Sequence, residues 1–96
     1  MPIRETVGVD GTSIVYSVHG QEDARPLMLL HGWAQSSKCW GEQVLAGLAD
    51  RYRVIAVDLR GHGHSAAPET GYADSANWAG DVNAVLTAEN ISGGAV

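Results

Sequence analysis

Apolar positions in this chain recur with two different periods, and the change from one to the other divides it into elements. Val7 and Val9 alternate with smaller or polar neighbours up to Asp10-Gly11, a pair suited to the two positive-φ positions of a tight turn. Beyond the turn Ile14, Tyr16 and Val18 alternate with Ser13, Val15 and Ser17, the period of two that marks a strand with one more apolar face. Together they predict a hairpin over 6–19, followed by a polar loop through 23. Leu27-Met28-Leu29-Leu30, bounded by Pro26 and His31-Gly32, is an unbroken apolar run and predicts a strand over 26–30 buried on both faces. The period then lengthens. Trp40, Val44 and Leu48 fall at i, i+4 and i+8 and predict a helix over 37–49, with Ser36 or Ser37 as N-cap. A second buried strand follows over 53–58. Gly and Pro hold the stretch from Leu59 to Tyr72 as loop. Trp78, Val82, Val85 and Leu86 make the apolar face of a helix over 75–88, capped by Asp74 or Ser75 and broken by Ser92-Gly93-Gly94. Ala95-Val96 opens a further strand over 95–96.

The order is a β-hairpin, then β-α-β-α, then the start of another strand. Strands alternating with helices imply a parallel sheet flanked by helices, so the fold class is α/β, and incomplete at its last element. The chain's 96 residues suffice for one small domain. A domain of that size buries only roughly 60–65% of the surface its unfolded chain exposes, which leaves a thin core.

Composition adds exclusions. The chain is 45% hydrophobic and 18% charged, as in an ordinary globular protein. Its net charge is −5, and Arg4, Arg25, Lys38, Arg51, Arg53 and Arg60 are too scattered to form a basic stripe, so no nucleic-acid partner is expected. No apolar run approaches a membrane-spanning length, and the first residues lack the apolar core of a signal peptide, so no membrane partner is expected. Cys39 is the only cysteine, which favours a reducing compartment, the cytoplasm.

Two segments carry chemical signals. Leu29-Leu30-His31-Gly32-Trp33 ends a buried strand in a sharp loop above the sheet's carboxyl edge, where backbone N–H groups can point at a developing oxyanion. Gly32 removes the Cβ that would block a substrate's approach. The alternative is a plain β-to-α turn. The second segment is Val57-Asp58-Leu59-Arg60-Gly61-His62-Gly63-His64-Ser65, again at a strand end. Asp58 is placed to accept loop N–H groups, Arg60 to pin the loop through its planar fork, and Gly61 and Gly63 to allow positive-φ turns.

Taken together, the two segments resemble the α/β-hydrolase family, whose third strand ends in His-Gly-x and whose fourth ends in Asp-x-Arg-Gly-x-Gly-x-Ser. Here they read His31-Gly32-Trp33 and Asp58-Leu59-Arg60-Gly61-His62-Gly63-His64-Ser65. The resemblance spans nearly the whole chain, and Trp33 with Trp40 is nearest in look to the esterase and cofactor-free haloperoxidase members. It implies that the Trp33 backbone N–H is one oxyanion-hole donor, with His31 and Gly32 shaping the loop and the Trp33 indole lining an acyl pocket. Asp58, Arg60, Gly61, Gly63 and Ser65 would be the structural motif of the fourth strand. The complete family member would hydrolyse an ester or related acyl bond by Ser-His-Asp catalysis, without a cofactor. Its nucleophile lies in G-x-S-x-G at the fifth strand, and the acid and histidine follow in chain order. All three fall beyond Val96, so the chain is expected to be inactive alone, with a small ester or acyl substrate only when completed. The third strand would then lack its neighbour, and its open edge invites self-association.

Other readings remain. Gly63-His64-Ser65-Ala66-Ala67 approaches G-x-S-x-G but lacks the last glycine and runs into Pro68. His62 and His64 at i, i+2 suggest a metal pair, yet no third ligand completes a site, which leaves them as exposed loop histidines. His31 as general base has no activated partner and reads as a structural histidine. Gly61-His62-Gly63-His64-Ser65-Ala66 formally matches the dinucleotide fingerprint of a Rossmann-like fragment, but loop residues follow where a helix should open, and Asp81 falls inside a helix. A non-catalytic interaction module or an inactive relic completes the set.

Overall fold

The hairpin forms first along the chain and sets the sheet. In a computed structural model that describes residues 3–33 and 35–91, β1 (Ile3–Val7) pairs antiparallel with β2 (Ser13–His19), with Ile3 opposite Ser17 and Val7 opposite Ser13. Of the two expected turn positions, only Gly11 has positive φ, at 85°. The connection is longer than a two-residue turn. Gly8 N–H donates to Thr12 O at 2.9 Å, and the Asp10 side chain accepts from Thr12 N–H at 3.3 Å, which leaves Asp10 in ordinary backbone.

β4 (Tyr52–Val57) pairs antiparallel with β2 and parallel with β3 (Arg25–Leu30), giving the order β1-β2-β4-β3. β4 is the strand buried on both faces. Ile55 and Val57 join Ile14, Tyr16, Val18 and Val85 on one side, while Val54 and Ala56 join Leu45 on the other. Each fully buried Val or Ile here stabilises the fold by roughly 1.5–3 kcal/mol. β3 differs from expectation: Leu27, Met28 and Leu29 are only half-buried and Leu30 is exposed. Its outer edge has no strand beside it among the described residues, and Pro26, which has no N–H to give, is tolerated at such an edge.

The helix expected over 37–49 is two pieces. Ser37–Trp40 is a 3₁₀ turn capped by Ser36, whose side chain accepts from Lys38 N–H at 3.2 Å, and α1 spans Glu42–Ala49. Gly41 between them has φ 77°, which no α-helix contains, so α1 starts in a new phase. Its inward face is therefore Leu45 and Leu48, and Val44 is exposed.

α2 (Ser75–Ala88) covers the opposite face, capped by Asp74, whose carboxylate accepts from Ala76 N–H at 2.9 Å. It ends before the expected Ser92-Gly93-Gly94 break. Asn90 takes φ 57°, Asn90 N–H donates to Thr87 O and Ile91 N–H to Leu86 O, so asparagine closes the helix in the role glycine usually fills. The strand expected at 95–96 lies outside the described residues. Among the described residues no helix is long and apolar enough to cross a membrane.

The end of α2 is tied down by charge. Glu89, 5% exposed, accepts from Tyr16 Oη at 2.6 Å and Arg4 Nη1 at 2.6 Å, and is paired with Arg53 as well. Burial pushes the Tyr16 phenol up to about 12, helped by its donation to Glu89. Burial raises the Glu89 carboxyl, but the bonds from Tyr16 and Arg4 outweigh it and hold the group below the usual carboxylate range. The neighbouring peptide and guanidinium donors do the same for Asp58 and Asp10. A carboxylate depressed in the folded state stabilises above its unfolded value, about 3.9–4.3, and loses that contribution as pH falls toward its folded value. We therefore expect denaturant midpoints to hold steady from pH 5.5 to 8 and to fall below about pH 4, with a shallower fall for Glu89→Gln. A midpoint that rises on acidification would contradict the assignment.

Candidate functional site

Because β3 and β4 are parallel, their carboxyl ends emerge at one edge of the sheet, and the loops after Leu30 and Val57 rise side by side. Side-chain hydrogen bonds stitch the two together. His31, 5% exposed, contacts Gly32 O through Nδ1 at 2.8 Å and receives Leu59 N–H at Nε2 at 3.0 Å. A carbonyl only accepts and an N–H only donates, so the His31 proton sits on Nδ1 and both ring nitrogens are engaged. His31 is thereby a strut between the loops and has no nitrogen left for a metal or for base chemistry.

Asp58 is the second stitch. One carboxylate oxygen receives Ser37 N–H at 2.7 Å from the far side of the β3 loop, and the other receives His64 N–H at 3.0 Å from its own loop. Burial raises its carboxyl and these two donors more than reverse the shift. Gly63, at φ 52°, brings the chain onto that carboxylate: a Cβ there would lie 2.3 Å from Asp58 Cγ. Gly61, at φ 77°, is packed against Tyr72, whose Cε1 a Cβ would meet at 2.9 Å. Gly32 is different. Its φ is not positive, its N–H donates to Gln35 Oε1 at 3.3 Å, and a Cβ there would meet the same oxygen at 3.4 Å, an ordinary contact.

Ser65 is 8% exposed, receives Val15 N–H at Oγ at 2.8 Å and donates to Asp58 O. Its hydroxyl joins the loop to β2 and is not presented to a reactant. Ser65→Ala should cost about 1–3 kcal/mol by orphaning a buried N–H and carbonyl. Where a serine-directed phosphonate labels the native protein, it should label it as well after this change as before. Loss of labelling specific to this variant would restore Ser65 as a nucleophile.

Arg60 reaches further than its own loop. It is 0% exposed and makes two fork-like pairs: Nε and Nη2 to Asp81 at 2.6 and 2.7 Å, and Nη1 and Nη2 to Asp10 at 2.8 and 3.0 Å. The hairpin turn, the β4 loop and α2 thus meet at one guanidinium, whose proton affinity is raised by the hydrogen bonds to Asp81 and Asp10. Nothing local in the sequence marks Asp10 and Asp81 as its partners. Asp81 sits on the buried side of α2, where the helical pattern alone expects an apolar residue.

His62 and His64 part company. His64 is exposed, with Nδ1 3.6 Å from Asp58. His62 is half-buried, contrary to the reading of both as exposed loop residues. Its ring packs 5.0 Å from His31 and 5.2 Å from Trp33. Gly63 turns the two side chains apart. Among the described residues no group of three or more His, Cys, Asp or Glu could hold a metal ion. The dinucleotide geometry is not present either, since the glycines are followed by loop up to Asp74, and Asp81 is occupied by Arg60.

Trp33 stands at the tip of the first loop, 78% exposed. Among the described residues none accepts from its backbone N–H. The indole, His62, Gly61 and Tyr72 enclose an open cleft of about 360 Å³. Tyr72 is held there by Trp78, whose Nε1 donates to Tyr72 O at 2.7 Å.

This arrangement is shared with known proteins. The profile of the "Alpha/beta hydrolase family" matches residues 27–96. A non-heme chloroperoxidase of Streptomyces lividans is 44% identical over 88% of this chain and 30% of its own length. A bifunctional esterase/perhydrolase of Acinetobacter calcoaceticus is 39% identical over 88% of this chain and 30% of its own. The crystal structure of an esterase from a Rhodococcus species superposes with a TM-score of 0.96 at 72% identity, covering 99% of this chain and 34% of that one. The chain therefore spans about a third of the length of the relatives it matches, the N-terminal portion of their fold. Strand order, the paired strand-end loops and these matches agree: the chain belongs to the alpha/beta hydrolase family.

Proposed function

We propose that this chain supplies the oxyanion-hole turn and part of the acyl pocket of an esterase that works by serine nucleophilic catalysis. The observation that carries the reading is the Trp33 turn. It is fixed from behind by His31 on Leu59 N–H and carries a backbone N–H that no described residue accepts from, beside an aromatic cleft. A donor held in place before reaction stabilises developing negative charge without reorganising, which is what acyl transfer needs. The esterase and perhydrolase relatives support the reading, and a small ester is the substrate class that follows from it. Under it the nucleophile, acid and histidine belong to sequence beyond these 96 residues. Where they are missing, the open edge of β3 favours pairing with a second copy. The lone Cys39 favours a cytoplasmic setting.

The test is the mass and activity of the native protein, captured from its own cells with an antibody against residues 12–60. A species well above 10.1 kDa that hydrolyses p-nitrophenyl acetate is expected. A species at 10.1 kDa without hydrolysis would overturn the proposal.

A further inference from the structure

We propose that His62 is a positioning residue for Trp33, its imidazole seating the indole and with it the His31-Gly32-Trp33 turn. The inference rests on the reading of the Trp33 N–H as an oxyanion donor. The His62 ring stands nearly perpendicular to the indole, at 77° and 5.2 Å between centroids, the edge-to-face arrangement that aromatic pairs favour. On its other side it lies 5.0 Å from His31, so it is wedged between the strut of the turn and its tip.

Its own placement is rigid. Nδ1 is 2.8 Å from Arg60 O, and because a carbonyl only accepts, the ring donates there and its plane is set. The carbonyl it meets belongs to Arg60, whose fully buried guanidinium is shared by Asp10 and Asp81, so the seat lies on a residue tied down at its other end. The positive φ of Gly61 and Gly63 on either side aims the ring back toward the first loop. Trp33, by contrast, is 78% exposed, and His62 is the ring it packs against among the described residues. A donor at the tip of a loop is useful only if its supporting shell holds it within a fraction of an ångström, and this ring contact is the ring packing of that shell seen among the described residues.

The experiment compares His62→Asn and His62→Phe in the native, full-length protein. Asparagine keeps a polar group near the position of Nδ1 and removes the ring, whereas phenylalanine keeps the ring and removes the donor. For His62→Asn we expect kcat to fall about five- to ten-fold, the scale of one aromatic pair, with KM changed less than two-fold. His62→Phe should recover most of kcat, a rescue that a merely structural hydrogen bond would not show. In ¹H–¹⁵N spectra the indole resonance of Trp33, assigned with Trp33→Phe, should move in His62→Asn while those of Trp40 and Trp78 stay. With Trp33→Pro impaired, unchanged kcat in His62→Asn, or a greater loss in His62→Phe than in His62→Asn, would overturn the proposal. The spectrum does not depend on catalysis. If Trp33→Pro leaves kcat intact while the Trp33 resonance still moves in His62→Asn, the oxyanion reading fails and the seating stands.

Discussion

Arg60→Met should destabilise the native protein by about 3–5 kcal/mol, the usual cost of removing one partner from a buried charge cluster. The cost comes from what is left behind. Asp81 is 0% exposed and Asp10 is partly covered, and without the guanidinium the Asp81 carboxylate has neither water nor a counter-charge. Gly8 packs so closely that a Cβ there would lie 2.2 Å from Asp81 Oδ1. Arg60→Lys should recover only part of the loss, because a point charge cannot serve two carboxylates as two forks do. Adding Asp81→Leu and Asp10→Asn to Arg60→Met should restore most of the stability, since an apolar replacement of a whole buried cluster is often neutral. Denaturant unfolding at pH 7 measures all three. A loss under 1 kcal/mol for Arg60→Met would mean that the cluster is solvated in solution.

Under the proposed esterase function, Trp33→Pro should lower kcat about 10²- to 10³-fold on a small ester, the range seen when one oxyanion donor is removed. Proline lacks the backbone N–H, and Gln35 N–H closing on Gly32 O places Trp33 second in a turn, the position proline favours. The residue before it is Gly32, least restricted by a following proline, and Trp33 lies outside any strand or helix. Trp33→Ala is the control. It keeps the N–H and removes the indole, so its effect should fall chiefly on KM, through the cleft shared with His62, Gly61 and Tyr72. Steady-state kinetics of the two variants separate the roles. Equal losses in both would assign the effect to the side chain and remove the backbone donor from the mechanism.

The two kinds of periodicity were legible because they follow from the backbone alone. Ile14, Tyr16 and Val18 face one way because successive strand residues must point to opposite sides. The motif glycines were legible for a related reason: Gly61 and Gly63 take positive φ, which side chains disfavour. Phase was harder. The i, i+4 spacing of Trp40 and Val44 suggests one helix, but Gly41 resets the turn, and Leu45 faces inward instead. The reading of Asp10-Gly11 as the two central turn positions failed similarly. Gly11 N–H closes on Gly8 O, which puts Val9 and Asp10 at the centre of the turn and Gly11 after it, and the Asp10 carboxylate takes Thr12 N–H and Arg60.

The sequence by itself determined the order of the described strands and helices, the α/β class and the two strand-end loops that rise side by side. Those depend on residues near one another in the chain, where spacing and backbone preference act directly. Only the tertiary structure decided which charges meet. Arg60 is 50 residues from Asp10 and 21 from Asp81, and Arg4 is 85 from Glu89. It also decided that His62 faces Trp33 while His64 faces solvent. No local pattern encodes such pairings, because a charge or ring finds its partner only after the sheet has brought distant segments to one edge and excluded water from between them.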